Sequence, residues 1–128
     1  MMVPHVLITD DDAGFREVLC DALASRGLHL HQAADGDEAL RVIEAEPIHM
    51  ALVDVHMPKV NGLEVIAVLA QRAERMPYVL MSAMMDDEIE REAARMRAYK
   101  IVRKPIRLKA LRDIVCGGLA EAYGWRPT

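Results

Sequence analysis

The chain has 128 residues, 52% of them hydrophobic and 28% charged, with a formal net charge of -4. One domain of ordinary size accounts for that length. The acid excess argues against a nucleic-acid-binding surface spread over it, because phosphate backbones are bound by clustered Lys and Arg.

His5 to Thr9 (HVLIT) reads as a buried strand. Phe15 to Arg26 then places Phe15, Val18, Leu19, Ala22 and Leu23 at the spacing of an amphipathic helix, with Gly27 as its stop. Leu28 to Gln32 is a weaker strand, Gly36 to Glu46 a helix ended by Pro47, and Ile48 to Val53 a second buried strand. After a turn at Pro58 to Gly62, helical spacing runs from Leu63 to Arg75 and stops before Pro77. Tyr78 to Met81 is apolar, and Asp86 and Asp87 offer a cap and dipole-matching charge for a helix through Arg97. Lys100 to Val102 is a short strand, and Leu108 to Cys116 begins a last helix. Gly117 and Gly118 each cost a helix interior about 1 kcal/mol against Ala, so the helix either stops there or continues weakly to Tyr123. Alternating strands and helices predict a parallel sheet covered on both faces, in a single domain over 1–128 whose tail from 117 is an irregular extension.

The residues just past each strand carry the chemistry. The first strand runs into Asp10, Asp11 and Asp12, the third into Asp54, the fourth into Ser82, and the last into Arg103, Lys104 and Pro105. In a parallel α/β sheet the carboxyl ends of the strands share one edge, where ligands bind. Carboxylates gathered there repel one another and call for a cation. Hard oxygens with room for water suit Mg²⁺, and a carboxylate can also act as a nucleophile toward phosphorus. A lysine beside it would neutralise charge on the transferring oxygens.

The stretches VLITDDD, LVDVHMPKVNGLEV, VLMSA and VRKP resemble, in order and spacing, the four signature blocks of response regulator receiver domains across essentially the whole chain. The resemblance implies a flavodoxin-like doubly wound fold with sheet order 2-1-3-4-5. It implies that Asp54 is the phosphoacceptor and that Asp10, Asp11, Asp54 and the backbone carbonyl of His56 hold Mg²⁺, with Mn²⁺ as an alternative. Ser82 matches the hydroxyl position, Ala83 the small residue that leaves the phosphoryl group room, and Lys104 the invariant lysine. The Lys104–Pro105 bond matches one that is often cis. Asp12 is read as a helix N-cap rather than a ligand.

One position departs from the pattern. Receivers commonly carry Tyr or Phe three residues before the lysine, where this chain has Ile101. Either Tyr99, two residues earlier and on the same strand face by its even offset, takes that role, or signalling proceeds without an aromatic rotamer change. The partners implied are a histidine kinase or histidine phosphotransfer protein and a downstream protein or output domain, with homodimerisation on phosphorylation as a further outcome. The responding surface is the fourth helix, fifth strand and fifth helix.

Two rival readings stand beside this one: a phosphorylation-independent receiver-like module, favoured by Ile101, and a haloacid-dehalogenase-type phosphatase using Asp10 as nucleophile. No signal peptide or membrane-length apolar run is seen, so a cytoplasmic protein is expected. Cys20 and Cys116 read as small buried hydrophobes, and Met81, Met84 and Met85 as packing. Arg91, Arg95 and Arg97 read as a solvated face. His5, His29, His31, His49 and His56 have no metal-ligand spacing in the sequence and read as structural or solvent-facing.

Overall fold

A computed structural model describes residues 2–72 and 76–127. The elements alternate as β1 (His5–Thr9), α1 (Ala13–Ala24), β2 (His29–Ala33), α2 (Gly36–Ala45), β3 (Met50–Asp54), α3 (Gly62–Ala70), β4 (Tyr78–Ser82), α4 (Asp87–Arg95), β5 (Lys100–Arg103) and α5 (Leu108–Tyr123). All neighbouring strands pair in parallel, in the order β2-β1-β3-β4-β5.

Burial follows from that order. The interior strands β3 and β4 are buried at all five positions, as strands covered on both faces must be. The edge strands β2 and β5 are largely exposed or half-buried. That edge position explains the weak apolar signal of HLHQA. Alternate residues on each strand serve two cores. Leu7, Ala51, Val53 and Leu80 pack with Ala39, Ile43, Val65, Ile66, Leu69, Ile89 and Ala93 of α2, α3 and α4. Val6, Ile8, Met50, Leu52, Val79 and Met81 pack with Leu19 and Leu23 of α1 and Leu111, Val115 and Leu119 of α5.

Caps set most helix starts. The side chains of Asp12, Asp35 and Asp86 accept hydrogen bonds from the amides of Phe15, Glu38 and Ile89, at 3.1, 2.9 and 2.8 Å. Asn61 and Glu64 form a reciprocal capping box at α3. Asp12 is thus the N-cap its position suggests.

Some boundaries differ from the sequence reading. Helix α3 ends at Ala70, where Gln71 caps it, and the remainder of the expected stretch, 73–75, lies outside the described residues. Helix α4 ends at Arg95, and Arg97 turns the chain with a φ of 59°. Helix α5 does not stop at its glycines; it runs on to Tyr123 because Gly118 is a packing position. A Cβ there would lie 3.1 Å from the Tyr99 ring and 2.9 Å from Met50 Cε. The tail is not loose either, since Trp125 closes onto the α1/α5 core with 8% exposure. Cys20 and Cys116 are free and half-buried on that same face, where burial raises both thiols above their usual range. Met81 and Met85 pack as expected, but Met84 is 72% exposed. Among the described residues no helix is long and apolar enough to cross a membrane.

Candidate functional site at the carboxyl edge of the sheet

The carboxyl ends of β1, β3, β4 and β5 bring Asp10, Asp54, Ser82 and Lys104 to one edge. Asp54 is the last residue of β3, and its amide-linked neighbour Val55 continues the ladder by donating to the Met81 carbonyl at 2.8 Å. The chain then doubles back onto α3. Gly62 comes so near that a Cβ on it would lie 2.2 Å from the Asp54 carbonyl oxygen, and its amide donates to the Val55 carbonyl at 2.9 Å. Only a glycine lets α3 start this close behind the carboxylate.

Asp10 and Asp54 are buried, with 1% and 4% exposure, whereas Asp11 is exposed. Asp10 is held from three sides. Its carboxylate accepts from the Asp12 amide at 3.0 Å and from the Lys104 ammonium, and its carbonyl accepts from Arg16 Nη1 at 2.6 Å. Lys104 also reaches Asp54, with Nζ 3.4 Å from Oδ2. Ser82 is fully buried, and its Oγ accepts from the Met84 amide at 3.0 Å. That bond leaves the hydroxyl proton available to donate. The Lys104 amide donates to the Ser82 carbonyl at 2.8 Å, tying the two loops together, and the Lys104–Pro105 bond is cis.

Charge is unbalanced in this edge. Burial, and then the neighbouring Asp10, push the Asp54 carboxyl above its ordinary range, despite Lys104 pulling the other way. Burial opposes the charge on Lys104, but its contacts with Asp10 and Asp54 outweigh that and hold it above the usual lysine value. One ammonium among three carboxylates leaves negative charge uncompensated. The carboxylate oxygens that Asp10, Asp11 and Asp54 can offer lie within 4.8 Å of one another. A set of hard anionic oxygens this compact, partly open to water through Asp11, fits a hexacoordinate Mg²⁺, and Mn²⁺ fits the same donors.

The other expected residues fall around this centre. His56 is exposed beside an open groove of about 550 Å³ that Asp11, Met57, Asn61, Asp86 and Glu88 also line. Ala83 and Pro105 are exposed at the rim. Ile101 is half-buried against the α2/α3/α4 core, whereas Tyr99 packs on the α1/α5 core. The even offset therefore does not keep them on one face. Tyr99 precedes β5, outside its regular alternation, and its ring is captured by Gly118 of α5. Tyr99 and Ile101 therefore pack on opposite faces of the sheet.

Two contributors to the site leave no signal in the sequence. Phe15, which the helical spacing assigns to the core, sets its ring centroid 4.6 Å from Lys104 Nζ, a cation–π distance. Arg16 reaches the Asp10 carbonyl. Both depend on α1 folding over the β1 end, which one-dimensional spacing does not encode. His5, His29 and His31 converge at the other end of the sheet, with ligand atoms within 4.8 Å of one another.

A doubly wound five-stranded sheet carries a buried aspartate, a buried hydroxyl and a lysine at its carboxyl edge, and comparison with known proteins gives the family. The family model of the response regulator receiver domain matches residues 6–116, and the chain belongs to that family. It is 31% identical over 107 residues to Response regulator RR06 of Streptococcus pneumoniae, covering 84% of this chain and 49% of that protein. It is 28% identical over 120 residues to "Probable chemotaxis protein CheY" of Rhizobium etli, covering 89% of this chain and 93% of that one. The chain therefore spans about half the length of the first relative and nearly all of the second. In structure it is similar to a CheY-like receiver domain protein from Methanospirillum hungatei, with a TM-score of 0.92, 23% identity, and 96% and 98% of the two chains covered. It is thus a receiver domain of the response regulators of two-component signalling.

Proposed function

We propose that Asp54 accepts a phosphoryl group from a phosphohistidine carried by a histidine kinase or histidine phosphotransfer protein. The observation that carries this reading is the buried Asp54 carboxylate with Lys104 Nζ 3.4 Å away, at the end of a central strand. An Asp54 oxygen attacks phosphorus in line. The phosphorus–nitrogen bond breaks, its electron pair returns to the donor imidazole, and an aspartyl phosphate remains. Asp10, Asp11, Asp54 and the His56 carbonyl would hold Mg²⁺. That ion, when bound, supplies positive charge to the phosphoryl oxygens.

The residues of the chain do the rest. Lys104 already spans Asp10 and Asp54 and needs only a small swing to pair with a phosphoryl oxygen. Ser82, whose Oγ lone pair is taken by the Met84 amide, turns its proton toward the same group. Charge-assisted hydrogen bonds contribute about 1.5–3 kcal/mol each. A shift from 1:99 to 99:1 between two states takes about 5.5 kcal/mol. Two or three new contacts at Ser82 and Lys104 suffice to move the loops after β4 and β5. Since those loops lead into α4 and α5, the surface formed by α4, β5 and α5 is the one that responds. A downstream protein, an output domain or a second copy of the chain would dock there. With Ile101 where an aromatic would stand, loop displacement rather than an aromatic side-chain flip carries the response in this reading.

Intact-mass measurement after incubation with acetyl phosphate tests the reading. A single phosphoryl adduct that requires both Mg²⁺ and Asp54 is expected. No adduct on a folded protein would favour the phosphorylation-independent module instead, and turnover of a small phosphate ester that needs Asp10 but not Asp54 would favour the phosphatase.

A further inference from the structure

We infer that His5, His29 and His31 form a second metal site, selective for a borderline divalent ion of the zinc class, at the amino end of the sheet. The backbone register builds it. In the parallel pairing, His5 lies opposite His29 and Leu7 opposite His31. Strands sit roughly 4.8 Å apart, and side chains two residues apart share a face. All three imidazoles therefore stand together on one face of the β1–β2 pair.

The rings are stacked, with centroids 4.3 Å apart for His5 and His29, 5.1 Å for His5 and His31, and 4.7 Å for His29 and His31. His5 Nδ1 and His31 Nε2 lie 2.8 Å apart, and one ligand nitrogen from each ring falls within 4.8 Å of the other two. A tetrahedral ion at 2.0–2.1 Å from each nitrogen needs nitrogens roughly 3.3–3.4 Å apart. One pair stands inside that value and the third nitrogen lies within 4.8 Å, so the stacked rings would have to turn about their side-chain bonds to aim their in-plane lone pairs at one ion. A metal would take the place of the single proton that His5 and His31 share.

The surroundings suit a cation. Burial and the neighbouring imidazoles hold His5 and His31 below the ordinary histidine range, so the rings present neutral nitrogens. The Glu46 carboxylate at the end of α2 acts electrostatically on both. His49 fixes the strand beneath them, accepting from the His5 amide at 2.9 Å through Nδ1. His29 is exposed on an edge strand, which leaves a route in and an open position for water. Imidazole nitrogens favour zinc, copper and nickel, whereas Mg²⁺ prefers the oxygens of Asp10, Asp11 and Asp54. Ligand chemistry thus separates the two ends of the sheet.

Calorimetric titration of the tag-free full chain with zinc chloride, in excess MgCl₂ to occupy the carboxylates, tests this. Cobalt(II) absorption reports the ligand geometry. The expected result is saturable zinc binding that weakens by at least ~10-fold in His29→Ala and in His31→Gln. It should persist in Asp54→Asn, with tetrahedral cobalt bands that disappear in His29→Ala. His29 is exposed, so its variant should keep the fold, which circular dichroism would verify. Zinc affinity unchanged in a folded His29→Ala, or lost in Asp54→Asn but kept in His29→Ala, would overturn the inference. So would an absence of saturable binding to the unmodified chain. None of these outcomes depends on phosphorylation of Asp54.

Discussion

The Cα of Gly62 rests against the backbone of Asp54 so closely that any Cβ would lie 2.2 Å from the Asp54 carbonyl oxygen and 2.8 Å from the Asp54 carbonyl carbon. Both neighbours are backbone atoms and cannot rotate away. Gly62→Ala should therefore cost at least about 1–3 kcal/mol, the usual scale of overpacking. Denaturant titration should show a lower midpoint, with phosphorylation at Asp54 slowed because the strand end is displaced. An unchanged midpoint would mean that α3 can shift without cost.

The paired glycines of α5 should behave differently from each other. A Cβ at Gly117 meets only the Tyr99 hydroxyl, at 3.3 Å, while one at Gly118 meets both the Tyr99 ring and Met50. Gly117→Ala should gain up to about 1 kcal/mol from helix propensity. Gly118→Ala should gain less or lose stability, because the ring it presses on is itself packed in the core. Parallel thermal melts of the two variants would decide this; equal stabilisation would contradict the packing role assigned to Gly118.

Burial and Asp10 raise the Asp54 carboxyl above its unfolded value of 3.8. The folded state then binds a proton that the unfolded state has released, so stability falls as pH rises through the window above 3.8. Asp54→Asn removes that loss. In EDTA at pH 7 its Tm should exceed that of the unmodified chain by a few degrees, about 1 kcal/mol. Added Mg²⁺ should narrow the gap by stabilising only the chain that keeps the carboxylate. A lower Tm for Asp54→Asn would mean that the pairing with Lys104 outweighs desolvation.

At the opposite end of the sheet the sign is reversed. His5, His31 and His49 are lowered below 6.5, chiefly by burial, with His29 and His5 adding repulsion and Glu46 opposing it for His5 and His31. A base held below its unfolded value contributes stability that is complete above 6.5 and is lost as pH falls through the window beneath it. In EDTA, Tm should drop between pH 7.5 and 5.5, and a His29→Ala, His31→Gln double variant should flatten that drop. An identical profile in the variant would assign acid sensitivity elsewhere.

His56 and Met84 stand two positions beyond Asp54 and Ser82, both exposed where water would approach an aspartyl phosphate. Exchanging the two residues should change the decay rate of the phosphorylated chain severalfold, read by intact mass over time. An unchanged rate would remove water access at these positions as a control on lifetime.

The fold was legible because its signals are local. Buried runs such as MALVD, capping residues at 12 and 86, and helical periodicity each act over a few residues. The alternation of elements then leaves few topologies open. The acidic edge was legible for the same reason: in a parallel sheet every strand delivers its next residue to one side, so Asp10, Asp54, Ser82 and Lys104 can be placed from strand ends alone. Tertiary structure alone decided what depends on neighbours remote in sequence. Phe15 meets Lys104 because α1 folds over the β1 end, and Tyr99 turns to α5 because Gly118 leaves room. The three histidines meet because the β1–β2 register sets position 5 beside 29, a pairing chosen by the core on the other residues of those strands. Register is a collective outcome of packing, and the spacing of three histidines along the chain does not contain it.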